Sequence, residues 1–292
     1  MSVQINKLHP HFAVEVVGLD ASRPDPALCA RVQAIMDTHA VAVLRDQTLD
    51  DEQQIAFSRC FGELEVRPAV RTKMTERIDN PRVRHNEIFD VSNLDQAGRV
   101  LPPDDDRRSY ALGNQLWHTD SSFRQLSATW SLLSARIVSP VGADTEFADT
   151  RAAYDALPEA MRARIDGLVA EHSIWHSRAR RGGYQPSAEE LRARPPARHR
   201  LVRTHPGSGR KALYIAMHAS HIIGWPDDEG RDLLDELIDF ATRPEFVYAH
   251  KWRLGDLVIW DNRCTMHRAT PFDDLGLVRD MRRTTVREAV SA

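Results

Sequence analysis

From Gly113 onward, the chain is divided into short apolar segments that alternate with turn-forming residues. Closely spaced short strands are typical of antiparallel sandwiches and barrels. The segments that we predict as strands are residues 130–138, 145–148, 201–204, 212–216, 246–252 and 256–260. Helical periodicity lies between them, at residues 150–156, 158–168 and 227–241. The sequence therefore predicts an α+β protein with a jelly-roll core, which occupies mainly residues 113–290.

The segment before this core has a different pattern. Residues 1–65 alternate between strands (12–17 and 40–44) and helices (26–38 and 49–61), which predicts an α/β flank. Residues 66–110 are polar and indicate a long insertion with one strand at 88–91. The arginine-rich stretch 178–200, within a second insertion at 176–200, is predicted as a loop, either a solvated excursion or a basic lid over an anionic substrate. Without a clear linker, the 292 residues are expected to form one catalytic domain.

Composition excludes several classes of protein. The formal net charge is only −3, so a nucleic-acid or membrane-surface partner is not expected. No apolar run is long enough to span a membrane and no secretion signal precedes the first strand, so we expect a cytoplasmic protein. The three cysteines predict neither a disulfide framework nor a thiolate zinc site. The 13 histidines, in contrast, offer many neutral metal ligands.

One histidine motif suits a metal. In His118-Thr119-Asp120 the outer side chains would share one face of a strand. The same spacing recurs in His85-Asn86-Glu87, so the motif alone is weak evidence. His267, just beyond the polar segment Asp261-Asn262-Arg263, is the best third ligand. Two histidines and one carboxylate leave three positions open on Fe(II) for a bidentate organic acid and O₂, whereas a zinc hydrolase or a metal-stabilised binding protein remains the alternative.

Two arginines follow these candidate ligands. Arg279 and Arg283 would share one face of a C-terminal strand, where each could clamp a carboxylate. The alternative is a solvated basic strand. A second carboxylate clamp has no role in a zinc hydrolase, so the pair favours the Fe(II) reading.

Taken together, these motifs resemble the Fe(II)/2-oxoglutarate-dependent dioxygenases of the taurine dioxygenase type. The segments that carry the resemblance are His118-Thr119-Asp120, Gly142-Ala143-Asp144-Thr145, residues 202–210, Trp260-Asp261-Asn262-Arg263 with His267, and residues 279–283. Residues 114–118, 121–123, 149–158 and 218–221 resemble the 2,4-dichlorophenoxyacetate dioxygenase branch more closely. One departure is Ala143, which stands where the family often has a second glycine.

The resemblance implies a double-stranded β-helix with flanking helices. It implies that His118, Asp120 and His267 bind Fe(II), and that Arg279 and the Thr145 hydroxyl hold the distal carboxylate of 2-oxoglutarate. It further implies O₂ as cosubstrate, with ascorbate as a possible supporting reductant. The expected substrate is a small aryloxyalkanoate, contacted by Arg283, Asn114, His205 and His218. An alkylsulfonate such as taurine, or another aromatic carboxylate, is the alternative substrate, and a homo-oligomer is expected.

Overall fold

Two facing β-sheets organise the computed structural model, which describes residues 3–67, 81–182 and 185–289. The strands are β1 (Gln4–Lys7), β2 (Val14–Val17), β3 (Val41–Leu44), β4 (Phe89–Ser92), β5 (Ala128–Ile137), β6 (Thr145–Asp149), β7 (Val169–His172), β8 (Ala197–Arg200), β9 (Val202–Thr204), β10 (Lys211–Leu213), β11 (Ala219–Ile222), β12 (Val247–His250), β13 (Leu257–Asp261), β14 (Thr265–Ala269) and β15 (Asp280–Arg287). The helices are α1 (Pro26–His39), α2 (Asp51–Arg59), α3 (Asp106–Leu112), α4 (Thr150–Ala156), α5 (Glu159–Ile165), α6 (Ile174–Gly182), α7 (Ala188–Ala193) and α8 (Asp227–Ala241).

The larger sheet has the strand order β1-β2-β3-β13-β5-β15-β4, and only the β2–β3 pair is parallel. The smaller sheet has the order β12-β6-β14. An apolar cluster joins the two sheets, because it contains Leu133, Trp260 and Met281 from the larger one and Phe147 from the smaller one. The rings of Phe147 and Trp260 in this cluster contact the ring of His267, which belongs to the candidate site. Two smaller sheets, β11-β7-β8 and β9-β10, complete the β structure of the described residues.

The two predicted N-terminal helices, α1 and α2, each begin directly after a capping residue. Asp25 accepts a hydrogen bond from the backbone N–H of Leu28 at the start of α1. Asp50 and Gln53 form a reciprocal capping box at the start of α2. Both helices bury apolar residues, among them Ile35 and Phe57, in a cluster on the larger sheet. The α/β flank therefore packs against the larger sheet.

The prediction of a loop over residues 178–200 is wrong. The structure has α6, α7 and β8 in this region, apart from residues 183 and 184, which lie outside the described part. Ser173 accepts hydrogen bonds from backbone N–H groups in the first turn of α6, and Ser187 caps α7. Ile174 and Trp175 are buried, so α6 is anchored by apolar contacts that the many arginines conceal in the sequence. In residues 66–110, the predicted strand is observed as β4, and residues 68–80 lie outside the described part.

A disulfide joins Cys29 in α1 to Cys60 at the end of α2, with their Cα atoms 6.0 Å apart. The expectation that the cysteines form no disulfide is wrong for this pair, whose members are separated by 31 positions in the chain. Cys264 is free and buried. Among the described residues, none of the helices has the length and apolar character needed to cross a membrane.

Candidate active site

His118 and His267 face each other across an isolated antiparallel bridge. Each backbone N–H donates to the carbonyl of the other residue, at N···O distances of 3.0 and 2.7 Å. The two imidazole centroids are 4.1 Å apart. The prediction that His118-Thr119-Asp120 lies on a regular strand is therefore wrong, because the segment forms only this single bridge to β14. Backbone pairing, rather than strand alternation alone, brings the two rings together.

Asp120 completes the group. Its Oδ2 lies 3.7 Å from His267 Nε2, and one ligand atom from each of the three buried residues lies within 4.8 Å of the others. His118 Nδ1 is 2.8 Å from the Leu116 carbonyl, so this nitrogen donates and the lone pair remains on Nε2. The site thus directs two imidazole nitrogens and one carboxylate, all possible metal ligands, toward a single point.

The protonation states also suit a metal. Burial lowers the pKa of the His118 and His267 imidazoles, so both rings are neutral and have lone pairs to give. Burial would raise the pKa of Asp120, but the nearby Arg283 guanidinium, 2.5 Å from Oδ1, and the hydrogen bond from Ser131 outweigh it and hold that pKa well below its usual range. Two neutral imidazoles and an ionised carboxylate are the ligand set of non-haem Fe(II) oxygenases. The residues therefore fit this ion.

The second arginine has a different environment. Arg279 is 9% exposed, and among the described residues no carboxylate forms an ion pair with it. Burial lowers its pKa to about 10, so it remains a cation at neutral pH. A buried cation without a counter-charge is costly to the folded protein, which indicates that an anion belongs beside it.

Thr145, at the start of β6, is 4% exposed. Its Oγ accepts a hydrogen bond from Trp252 Nε1 at 3.0 Å, so its own O–H is free to point elsewhere. Thr145 lies two residues before Phe147 and Arg279 two residues before Met281, and these apolar neighbours share the cluster between the sheets, which Trp252 also joins. Thr145 and Arg279 are therefore each two residues from a member of that cluster.

The turn before Thr145 holds two residues, Gly142 and Ala143, in the left-handed region. Their φ values are +67° and +58°. A Cβ on Gly142 would lie 2.8 Å from the Pro271 carbonyl oxygen, so only glycine fits there. Ala143 adopts the left-handed conformation at a steric cost that a glycine would not have.

Two of the predicted substrate residues lie beside the metal ligands. His218 is buried, with its ring centroid 6.4 Å from that of His118 and 5.1 Å from that of Phe123. Asn114 is half-buried in the short 3₁₀ turn Gly113–Gln115, which packs against β14. His218 thus lies beside His118, whereas Asn114 belongs to a turn that packs against the strand of His267.

His205 lies elsewhere. Its side chain is fully buried, with Nδ1 2.9 Å from Ser208 Oγ and Nε2 3.0 Å from Asp261 Oδ2. Arg263 also contacts Asp261. Both ring nitrogens are engaged within this network, so the geometry does not support the prediction that His205 contacts a substrate.

Sequence reasoning missed several residues at the site. Ser131 and Asn262 are hydrogen-bonded to the Asp120 segment, and the Phe89 ring lies 5.4 Å from the Arg283 guanidinium. Asn262 could have been suspected from its place in the Trp260–Arg263 segment. Ser131 lies within an apolar strand and offers no such signal.

Comparison with known proteins agrees with this geometry. The model of the family described as "Taurine catabolism dioxygenase TauD, TfdA family" matches residues 4–285. The chain belongs to this family. As a member, it is an Fe(II)- and 2-oxoglutarate-dependent dioxygenase, with O₂ as cosubstrate. The zinc-hydrolase alternative is set aside by this membership.

Individual relatives cover nearly all of the chain. It is 46% identical over 292 residues to an alpha-ketoglutarate-dependent 2,4-dichlorophenoxyacetate dioxygenase of Cupriavidus pinatubonensis, covering 99% of this chain and 100% of that protein. It is 39% identical over 277 residues to an (S)-phenoxypropionate/alpha-ketoglutarate-dioxygenase of Sphingobium herbicidovorans, covering 92% and 90%. Among solved structures, AAD-2 in complex with Mn(II) and N-oxalylglycine is 45% identical with a TM-score of 0.90, covering 99% and 98%.

Proposed function

We propose that the protein hydroxylates the carbon next to the ether oxygen of an aryloxyalkanoate. For an aryloxyacetate, one O₂ and one 2-oxoglutarate are consumed. The hydroxylated product is a hemiacetal that breaks down to a phenol and glyoxylate, and succinate and CO₂ are released. The names of the 46% and 39% identical relatives support this substrate class. The observation that carries the proposal is the pair of arginines, because one lies at the metal ligands and the other is buried with no counter-charge among the described residues.

Each arginine is assigned to one anion. Arg279 and the Thr145 hydroxyl hold the distal carboxylate of 2-oxoglutarate, since a buried guanidinium and a free O–H are charge-assisted donors to a carboxylate. Arg283 binds the acid group of the substrate, because its side chain is 23% exposed and lies beside Asp120. The substrate is thereby held by its acid end, with the adjacent carbon next to the metal ligands.

Bound Fe(II) supplies the activation of O₂ that oxidises the substrate carbon. The chain supplies position and a dry environment. Phe89 next to Arg283, and Phe123 next to His218, offer apolar edges to an aryl ring. Burial lowers the pKa of His218 well below its usual value, so it enters the site as a neutral ring and does not add charge against the substrate.

A substrate panel tests the proposal. The protein is loaded anaerobically with Fe(II), then given 2-oxoglutarate, ascorbate, O₂ and one of phenoxyacetate, 2,4-dichlorophenoxyacetate, each 2-phenoxypropionate enantiomer or taurine. We expect equal amounts of phenol and succinate from the aryloxyacetates. The matched control is 2-phenoxyethanol, which keeps the ring and the ether but lacks the carboxylate, and it should yield no phenol. Sulfite from taurine without phenol from any aryl ether would replace the aryl substrate by an alkylsulfonate.

We also propose the finer organisation of the molecule. The two facing sheets, β1-β2-β3-β13-β5-β15-β4 and β12-β6-β14, are assigned as the double-stranded β-helix, within one catalytic domain of residues 1–292. A cytoplasmic homo-oligomer is proposed as the working form. Light scattering of the purified full-length chain, at micromolar concentration, tests the oligomer through its molar mass.

A further inference from the structure

The Asp120 carboxylate is held from two sides. Arg283 Nη1 contacts Oδ1 at 2.5 Å, and Ser131 Oγ contacts Oδ2 at 2.7 Å. Ser131 lies on β5 and is fully buried, opposite Trp260 of β13 in the sheet register. A hydrogen bond in such dry surroundings is stronger than one in water. The oxygen nearest His267 is therefore also the oxygen that Ser131 contacts.

The side chain of Asn262 sets the direction of the Ser131 hydroxyl. Asn262 Oδ1 receives hydrogen bonds from the backbone N–H of Asp120 at 3.1 Å and from Trp260 Nε1 at 3.0 Å. Both of these groups are donors, so the atom facing them must be the carbonyl oxygen of the amide. The other amide atom, Nδ2, consequently donates to Ser131 Oγ at 3.0 Å.

The hydroxyl hydrogen of Ser131 can therefore be donated only to Asp120 in this arrangement. Its oxygen already accepts a hydrogen bond from Asn262, and it has one hydrogen to give. Asp120 Oδ2 is the acceptor that remains. The series of hydrogen bonds therefore runs from the Asn262 amide, which donates to Ser131, to the Ser131 hydroxyl, which donates to Asp120. All three residues are buried, so water does not compete along it.

We propose that Ser131 and Asn262 are positioning residues for the metal: they orient the Asp120 carboxylate and set its strength as a ligand. The inference rests on the metal centre of the proposed function, but on none of its substrate assignments. Groups that hydrogen-bond to a metal ligand fix its orientation and typically change metal affinity about 10- to 100-fold when removed.

Ser134 provides a matched control on the same strand. It is also buried, its Oγ donates to Gln54 Oε1 at 2.7 Å, and it accepts from Arg136 Nε at 3.2 Å. Three positions separate it from Ser131, so its side chain points to the opposite face of β5. Ser134→Ala removes the same kind of hydrogen bond from the core without touching Asp120.

The test measures metal binding without cosubstrate or substrate. Mn(II) affinity is determined by electron paramagnetic resonance, and the visible spectrum of the Co(II)-substituted protein reports the ligand field. For Ser131→Ala we expect the Kd for Mn(II) to rise about 10- to 100-fold and the Co(II) bands to shift. Ser134→Ala should leave both unchanged, even where the two variants lower Tm equally.

Asn262→Asp tests the donor direction in the hydrogen bonds from Asn262 through Ser131 to Asp120. It preserves size but replaces the donating Nδ2 by an accepting oxygen, so the Ser131 hydrogen is shared between two carboxylates and the Mn(II) Kd rises as well. An unchanged Kd in Ser131→Ala, or equal losses in Ser131→Ala and Ser134→Ala, would overturn the inference. Failure to turn over any aryloxyalkanoate would reject the substrate assignment and leave these binding results standing. If the unsubstituted protein bound no divalent metal, the metal centre and this inference would both fall.

Discussion

The two arginines near the start of β15 lie in contrasting surroundings. Arg283 lies beside the metal ligands, which we call the metal end of the site, and is paired with the carboxylate of Asp120. Arg279 marks what we call the distal end, where it is more deeply buried and forms no ion pair among the described residues. The metal end therefore has its charges balanced before any ligand arrives. No described residue balances the charge of Arg279, so part of the binding free energy of an anion that enters there offsets a cost already present in the folded protein.

Removing one metal ligand should have the largest effect. His267→Ala leaves Asp120 and one imidazole, too few protein ligands to hold Fe(II), so succinate production should fall to background. The exposed His11→Ala serves as a control for the loss of a histidine. Metal content after anaerobic loading is the measurement. Retention of one Fe(II) per chain by His267→Ala would contradict the assignment of the metal end.

Arg279→Met sharpens the contrast at the distal end. Losing a charge-assisted contact costs about 3 kcal/mol, so the affinity for 2-oxoglutarate should fall about 100-fold. Since the variant also removes an uncompensated buried charge, the free energy of unfolding without 2-oxoglutarate should rise by about 1 kcal/mol or more. Calorimetric titration and denaturant unfolding measure the two effects. A destabilised variant would show that Arg279 has a partner within the protein.

Arg283→Met should change stability in the opposite direction. Asp120 loses its guanidinium partner, so the free energy of unfolding should fall by about 1 kcal/mol. The KM for the aryloxyalkanoate should rise about 10- to 100-fold, whereas the KM for 2-oxoglutarate changes little. Steady-state kinetics with each compound varied in turn separate the two constants. A larger effect on 2-oxoglutarate than on the substrate would exchange the roles of the two arginines.

Trp252→Phe should have the smallest effect. The ring is retained, but the N–H donor to Thr145 is lost, and one neutral hydrogen bond contributes about 1 kcal/mol. The Thr145 hydroxyl then orients less well, and the affinity for 2-oxoglutarate should fall about 5-fold. Trp175→Phe, which removes an N–H bonded to the Arg194 carbonyl, is the control. The loss should vanish when Trp252→Phe is made in a Thr145→Val protein.

The sequence predicted the elements whose local signals are strong. The helices after Asp25 and Asp50 begin at capping residues, and the strand that holds Trp260 is an apolar run that follows a turn. The loop prediction for the arginine-rich segment failed because α6 buries Ile174 and Trp175 and packs against β11, which is distant in the sequence. Two apolar residues in a segment with so many charged side chains do not produce a recognisable helical periodicity in the sequence.

The site shows the same division. The ligands His118, Asp120 and His267 could be proposed because their residue types limit the chemistry that they can perform. Ser131 could not, because a serine in a buried strand is ordinary until the fold brings Asn262 and Asp120 to it. Likewise, His205 has the right residue type, but only the fold reveals that Asp261 and Ser208 already occupy its ring.

The bridge between His118 and His267 has a consequence for metal release. Its two backbone hydrogen bonds hold both rings in place whether or not an ion lies between them. Local opening of the chain at this point would separate the ligands, so escape of the ion and opening of the backbone become coupled events. Hydrogen–deuterium exchange at these two amides should therefore slow when Mn(II) is added, and the extent of slowing gives the metal affinity of the closed state.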